Sequence, residues 1–246
     1  MFRGSIVAIV TPFSVSTQGR CASGAKGGSA SGGKNLVVDE QKLRDLIEFH
    51  IQNGTSGIVP CGTTGESATL SFEEHDRVIE ITIEQVKRRI PVIAGTGSNS
   101  TEEAVMLTRH AAKAGADASL QVSPYYNRPT QKGLYEHFKA IAESVDIPII
   151  LYNIASRTGV NIEPETIAKL SRDCKNIVGV KEASGSLDQM SRIKQLCGQN
   201  FDLISGDIGH RGSLKSGWHI SNSPIAVLTG MGLVSINMAL IKGNNL

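Results

Sequence analysis

The strongest constraint on what this chain can fold into is a steady alternation of two sequence periods. Short apolar runs rich in Ile and Val recur at 57–61, 91–95, 118–123, 148–152, 177–181 and 201–205, after a first run at 5–11. Gly and Pro bound these runs, and they lack the strict polar alternation of a half-exposed strand. They therefore read as parallel strands covered on both faces. Between them lie segments of helical period, so the unit is strand–helix with right-handed crossovers. An open doubly wound sheet and a closed barrel share this rhythm. Seven regular units and a weaker eighth after Gly206 favour a (β/α)8 TIM barrel, and 246 residues suit one such α/β domain.

Local signals place the helices. SFEE at 71–74 and STEE at 100–103 each predict a capping box. Pro164 occupies a first helical position, while Gly54 and Gly115 follow their helices as C-terminal caps. Two stretches depart from the pattern. Residues 17–35, TQGRCASGAKGGSASGGKN, predict a flexible Gly/Ser-rich insertion. GSASGGKN at 28–35 imitates a phosphate-binding loop, but Asn35 replaces the Ser or Thr that would hold magnesium. GTGSNS at 95–100 lacks the third glycine of a dinucleotide fingerprint. Neither stretch predicts a nucleotide site.

Composition narrows the function classes. A net charge of +2 gives no reason to expect nucleic acid as a partner. The cysteines Cys21, Cys61, Cys174 and Cys197 form no CxxC pair and no metal-ligand spacing, which suits a reducing cytoplasm and predicts no metal. The apolar stretch 6–10 is too short for a membrane span or a signal-peptide core. One cytoplasmic barrel domain over 1–246, with a divergent tail from 208, is the resulting expectation.

In a barrel the chemistry gathers at the C-terminal ends of the strands. Read in order, those ends are GTTGE at 62–66, GTG at 95–97, PYYN at 124–127, Tyr152-Asn153, Lys181-Glu182 and Gly206-Asp207. Lys181 is the most informative. It follows the apolar run IVGV directly, and a charge there must be paired, solvated or used. Taken alone it reads as a strand-end lysine whose ammonium reaches water. The sharper reading is an amine nucleophile in a pocket that lowers its pKa. Tyr152 taken alone is a core tyrosine with a satisfied hydroxyl. Hydroxyls and an amine converging on one mouth describe a site.

Four motifs carry a resemblance: GTTGES (62–67), SPYYNRPTQKGLYEHF (123–138), LYNIASRTG (151–159) and GVKEASG (179–185). Together they resemble the dihydrodipicolinate (4-hydroxy-tetrahydrodipicolinate) synthase family. That family belongs to the pyruvate-dependent class I aldolases, with N-acetylneuraminate lyase among them. The resemblance runs from Met1 to about Asp207, interrupted only by the Gly/Ser-rich insertion, with the four motifs in order and on the expected strands. The resemblance implies Schiff-base chemistry without a cofactor, in lysine (diaminopimelate) biosynthesis. Lys181 matches the lysine that condenses with pyruvate, and Tyr152 matches the tyrosine that shuttles protons. Thr63 and Tyr126 match its relay partners. Thr63 and Thr64 match the holders of the pyruvate carboxylate, and Gly206 also falls among the substrate-binding positions. Arg157 matches the arginine that receives the carboxylate of L-aspartate 4-semialdehyde. Because the family's second tyrosine enters a neighbouring subunit's site, the resemblance implies a homo-oligomer, a dimer of dimers. Ser67, Ala68, His75, Asn99, Glu103 and Tyr125 match positions that hold L-lysine in feedback-inhibited members, although Phe72 stands where those members often carry histidine.

Tyr126 and Arg157 favour the synthase over neuraminate lyase. A related pyruvate aldolase using another aldehyde, or an inactive shortened homologue, are the alternatives. Ala155 replaces the family's usual proline beside Arg157. Beyond Asp207 the resemblance fades. The best eighth strand is 217–221, and a last helix is expected around 227–241 despite Gly230 and Gly232. The family's helical extension beyond the barrel has no counterpart, which predicts marginal stability and low activity.

Overall fold

Eight parallel strands form one continuous sheet in the computed structural model, which describes residues 2–15, 36–206 and 219–222. The strands are β1 (Ile6–Ala8), β4 (Gly57–Val59), β5 (Ile93–Gly95), β6 (Ala118–Val122), β7 (Ile149–Asn153), β8 (Ile177–Glu182), β9 (Asp202–Ser205) and β10 (His219–Asn222). Their order is β4-β1-β10-β9-β8-β7-β6-β5. A parallel bridge between Ile58 and Val92 joins the two ends, so the sheet closes on itself. The eighth strand is β10, which pairs with β9 through His219 and Ile204 and with β1 through Ile6 and Ser221. Its described residues overlap the expected 217–221 at 219–221 and extend to Asn222, while 217 and 218 lie outside the described residues. The segments expected to be the 17–35 insertion and the 227–241 helix lie outside the described residues.

Helices α1 (Glu40–Gln52), α2 (Phe72–Val86), α3 (Thr101–Ala114), α4 (Gln131–Ser144), α6 (Pro164–Asp173) and α7 (Leu187–Cys197) alternate with the strands; a single turn, α5 (Ala155–Thr158), precedes α6. Ser71 and Glu74 make the reciprocal capping box expected of α2. At α3 the expectation is corrected in part. Ser100 accepts from the Glu103 N–H, but the Glu103 carboxylate turns away to take the Ser98 hydroxyl at 2.7 Å. Gly115 closes α3 with φ 99°, a conformation that costs glycine little.

Two layers of core follow from the strand period. Ile150 and Tyr152 of β7 join Ile6, Val59, Ile93, Leu120 and Ile204 inside the barrel. Ile149 and Leu151 point the other way, into the layer under the helices with Phe138, Ile141, Ile167 and Leu170. One element was not expected: β2 (Phe13–Val15) and β3 (Leu36–Val38) pair antiparallel across the mouth of the 16–35 segment. Gly95 and Gly97, the pair that hints at a nucleotide fingerprint, have a packing reason. A Cβ at Gly95 would stand 2.2 Å from the Cys61 carbonyl oxygen, and one at Gly97 would stand 2.3 Å from the Val122 nitrogen.

Candidate active site

The sequence puts Lys181 one residue from the end of β8, in register with Tyr152 on β7. Both side chains therefore face the barrel interior, and the Lys181 ammonium lies 4.5 Å from the centre of the Tyr152 ring. Lys181 is only 8% exposed and has no carboxylate partner among the described residues. Burial alone brings its pKa down from 10.5 to about 8. At pH 7 an amine with a pKa of about 8 is about one-tenth neutral, against about 0.03% for an ordinary lysine.

Gly206, directly after β9, makes the room this lysine needs. A Cβ there would lie 2.7 Å from the Ala183 Cβ and 3.3 Å from the Lys181 Cε. Tyr152 is buried as well, and burial raises its hydroxyl pKa. A hydrogen bond with the Thr63 side chain and the charge of Arg157 pull in the other direction. Lys181, Tyr152, Thr63 and Gly206 thus meet at one place, with Arg157 within electrostatic reach.

Thr63 and Thr64 belong to a tight turn after β4. Gly65 N–H donates to the Gly62 carbonyl at 3.0 Å, and the Thr11 hydroxyl holds the Gly65 carbonyl at 2.7 Å. Among the described residues, the Thr63 and Thr64 amides donate to no backbone acceptor. N–H groups that no described backbone carbonyl takes up can, in a glycine turn, hold a carboxylate. A cavity of about 380 Å³ opens above the turn, lined by Thr63, Glu66, Tyr125, Ile154 and Arg157 among others. Lys181 and Tyr152 are not in its wall; Thr63 and Arg157 connect it to them.

Arg157 rides on α5, the turn that contains Ala155 in place of proline. The turn is closed without proline by the Arg157 and Thr158 amides, each donating to Ile154 O at 3.0 Å, and by Gly159 N–H donating to Ala155 O at 2.9 Å. Tyr126 is not brought to the other three within this chain. It is 91% exposed, with φ 74°, a strained backbone for a tyrosine.

Five of the six positions expected for L-lysine lie together. Ser67, Ala68, His75, Glu103 and Tyr125 share the wall of a second cavity of about 240 Å³, which Phe72 also lines. Asn99, the sixth, donates weakly to the Tyr125 carbonyl at 3.4 Å. His75 Nε2 lies 2.9 Å from the Gly95 carbonyl, so Nε2 carries the proton; burial lowers the ring's pKa. Sequence reasoning placed Asn153 at a strand end without a role and missed Asn161 and Gln189, three amides around the buried Glu182. Their only signal is position, since Asn153 and Glu182 each follow a residue singled out for chemistry.

A closed parallel barrel with a buried amine and a tyrosine at its mouth defines a (β/α)8-barrel enzyme. The sequence model of the dihydrodipicolinate synthetase family matches residues 33–245, and the chain belongs to that family. The match continues past Asp207, beyond which the resemblance read from the sequence fades. A similar curated relative is 4-hydroxy-tetrahydrodipicolinate synthase of Syntrophus aciditrophicus (strain SB), 58% identical over 96% of this chain and 70% of that one. The chain spans 64% of the length of the Geotalea uraniireducens (strain Rf4) enzyme of the same name, at 59% identity over 84% of this chain. Among solved structures, dihydrodipicolinate synthase of Aquifex aeolicus superposes with a TM-score of 0.83 at 45% identity, covering 99% of this chain and 76% of that one.

Proposed function

We propose that this chain is a 4-hydroxy-tetrahydrodipicolinate synthase that joins pyruvate to L-aspartate 4-semialdehyde through an imine on Lys181, in lysine (diaminopimelate) biosynthesis. The observation that carries the reading is a buried lysine with a pKa of about 8 lying against Tyr152. In this reading the neutral Nζ adds to the ketone carbon of pyruvate. The Thr63 and Thr64 amides take the pyruvate carboxylate, which sets the ketone against the amine. Nitrogen then loses its proton and the carbinolamine hydroxyl leaves as water. Tyr152 serves both transfers, with Thr63 as the next link of the relay. A methyl proton passes to the Tyr152 relay to give an enamine, whose carbon attacks the aldehyde while the aldehyde oxygen takes a proton back. The amino group of that substrate then displaces Nζ from the imine carbon, closing the ring and freeing Lys181. Arg157 holds that substrate's carboxylate at the cavity.

Tyr126 completes the relay from a neighbouring copy, in a homo-oligomer built as a dimer of dimers. Its near-complete exposure supports this role, because a tyrosine in a strained left-handed conformation gains its contacts elsewhere. L-lysine is the proposed ligand of the second cavity, where Glu103 offers a carboxylate to an ammonium. The cytoplasm is the proposed compartment. Turnover of pyruvate with L-aspartate 4-semialdehyde tests the function. Tyr152→Phe should lower turnover about 10²-fold. Arg157→Ala should weaken use of the aldehyde and leave imine formation intact. Equal loss of imine formation in both variants would contradict the assigned roles.

A further inference from the structure

The register at the ends of β7 and β8 sets two pairs side by side. Tyr152 faces Lys181, and one residue on, Asn153 faces Glu182. Since neighbours on a strand point to opposite faces, the second pair looks outward, away from the barrel interior. Glu182 and Asn153 are both fully buried. A buried carboxylate persists only with its oxygens satisfied, and here every contact is a donor. The Ser184 N–H reaches Oε1 at 2.8 Å, Asn153 Nδ2 reaches the two oxygens at 3.1 and 3.0 Å, and Gln189 Nε2 reaches Oε2 at 2.9 Å.

The network runs on into the segment that carries Arg157. Asn153 Nδ2 also donates to Asn161 Oδ1 at 2.8 Å, and Asn153 Oδ1 accepts the Ile162 N–H at 3.0 Å. Asn161 and Gln189 exchange hydrogen bonds of 2.8 and 3.1 Å. Residues 154–160 therefore leave the barrel at Asn153 and return at Asn161, and both ends are tied to one carboxylate. Lys181 and Tyr152 are held by the strand ladder itself; Arg157 depends on this tether, on its short turn and on Gln131 of α4, whose Nε2 donates to the Asn161 carbonyl at 2.7 Å.

We propose that Glu182 is a positioning residue for the second substrate, fixing segment 154–162 through Asn153 and Gln189 so that Arg157 stands at the cavity. This rests on the proposed function for the identity of that substrate. The charge matters because a glutamine would offer one acceptor oxygen and turn an NH2 toward donors, and the Ser184 N–H cannot reverse.

The test is Glu182→Gln in the full chain, read by kinetics, by borohydride trapping of pyruvate and by hydrogen exchange. The KM for L-aspartate 4-semialdehyde should rise about 10-fold or more, while the KM for pyruvate and trapping on Lys181 stay within about 2-fold. Amides 158–162 should exchange faster with β8 still protected. Adding Gln189→Glu, which returns a carboxylate to the cluster, should restore the aldehyde KM. Asn161→Ala, which cuts only the segment's end of the network, should show the same split if Glu182→Gln does not fold. An unchanged aldehyde KM in a folded variant, or parallel loss of pyruvate trapping, would overturn the proposal. If the wild type itself neither traps pyruvate nor consumes the aldehyde, the proposed function fails. Exchange at 158–162 then judges the tether alone, and unchanged exchange in Glu182→Gln rejects it.

Discussion

Replacing Lys181 by methionine should make the protein more stable, by an amount that depends on pH in one direction. The ammonium is buried beside an aromatic ring with no carboxylate partner among the described residues, and the folded state pays for that in affinity for the proton. The fall in pKa from 10.5 to about 8 corresponds to about 3 kcal/mol, at about 1.4 kcal/mol per pKa unit. Below about pH 8 the lysine is charged in both states, so the full penalty applies. Between about 8 and 10.5 the unfolded chain holds a proton that the folded one lacks, and the stability of the wild type rises with pH. Methionine keeps most of the side-chain volume and removes the charge. Urea unfolding of both proteins should therefore show Lys181→Met ahead by about 3 kcal/mol at pH 7, with the gap closing toward pH 10.5. A gap that stays constant over that range, or a variant less stable than the wild type at pH 7, would refute the claim that burial lowers this pKa.

Two further outcomes follow from the site. Gly206→Ala would press a methyl against Ala183 and the Lys181 Cε, so imine formation should slow about 10-fold or more while the circular dichroism spectrum is kept; wild-type rates would show that the lysine does not depend on that space. Calorimetry should detect L-lysine binding, lost in Glu103→Ala, and the absence of heat with the folded wild type would reject the second cavity as its site.

The barrel was legible because its two periods are written locally. Ile149 to Asn153 alternate between helix layer and barrel interior, and Ser71 with Glu74 announces the start of α2. The β2–β3 ribbon was not. Each strand has three residues, Val15, Leu36 and Val37 are exposed, and their pairing spans the whole 16–35 segment. Glu103 illustrates a limit of motif reading: the capping spacing is present, yet Ser98 offers its hydroxyl at shorter reach, so the carboxylate goes there. Lys181, Tyr152 and Thr63 could be singled out from the sequence because they stand at strand ends within the motifs that carry the family resemblance, and the structure brings them together. Asn161 and Gln189 could not, since an amide's role depends on which helix is packed against which strand end. Tyr126 was legible as a residue but not as a contact. Its partner, in the account given above, is another copy of the chain.

Borohydride trapping decides whether Lys181 is the nucleophile. The folded protein is incubated with pyruvate, reduced, digested and mapped by mass spectrometry. Hydride converts an imine to a stable secondary amine, so one pyruvyl adduct is expected, on Lys181, forming faster as the pH is raised from 7 toward 8 and the amine loses its proton. A folded protein that gains no adduct, or gains it on a different lysine, would contradict the account.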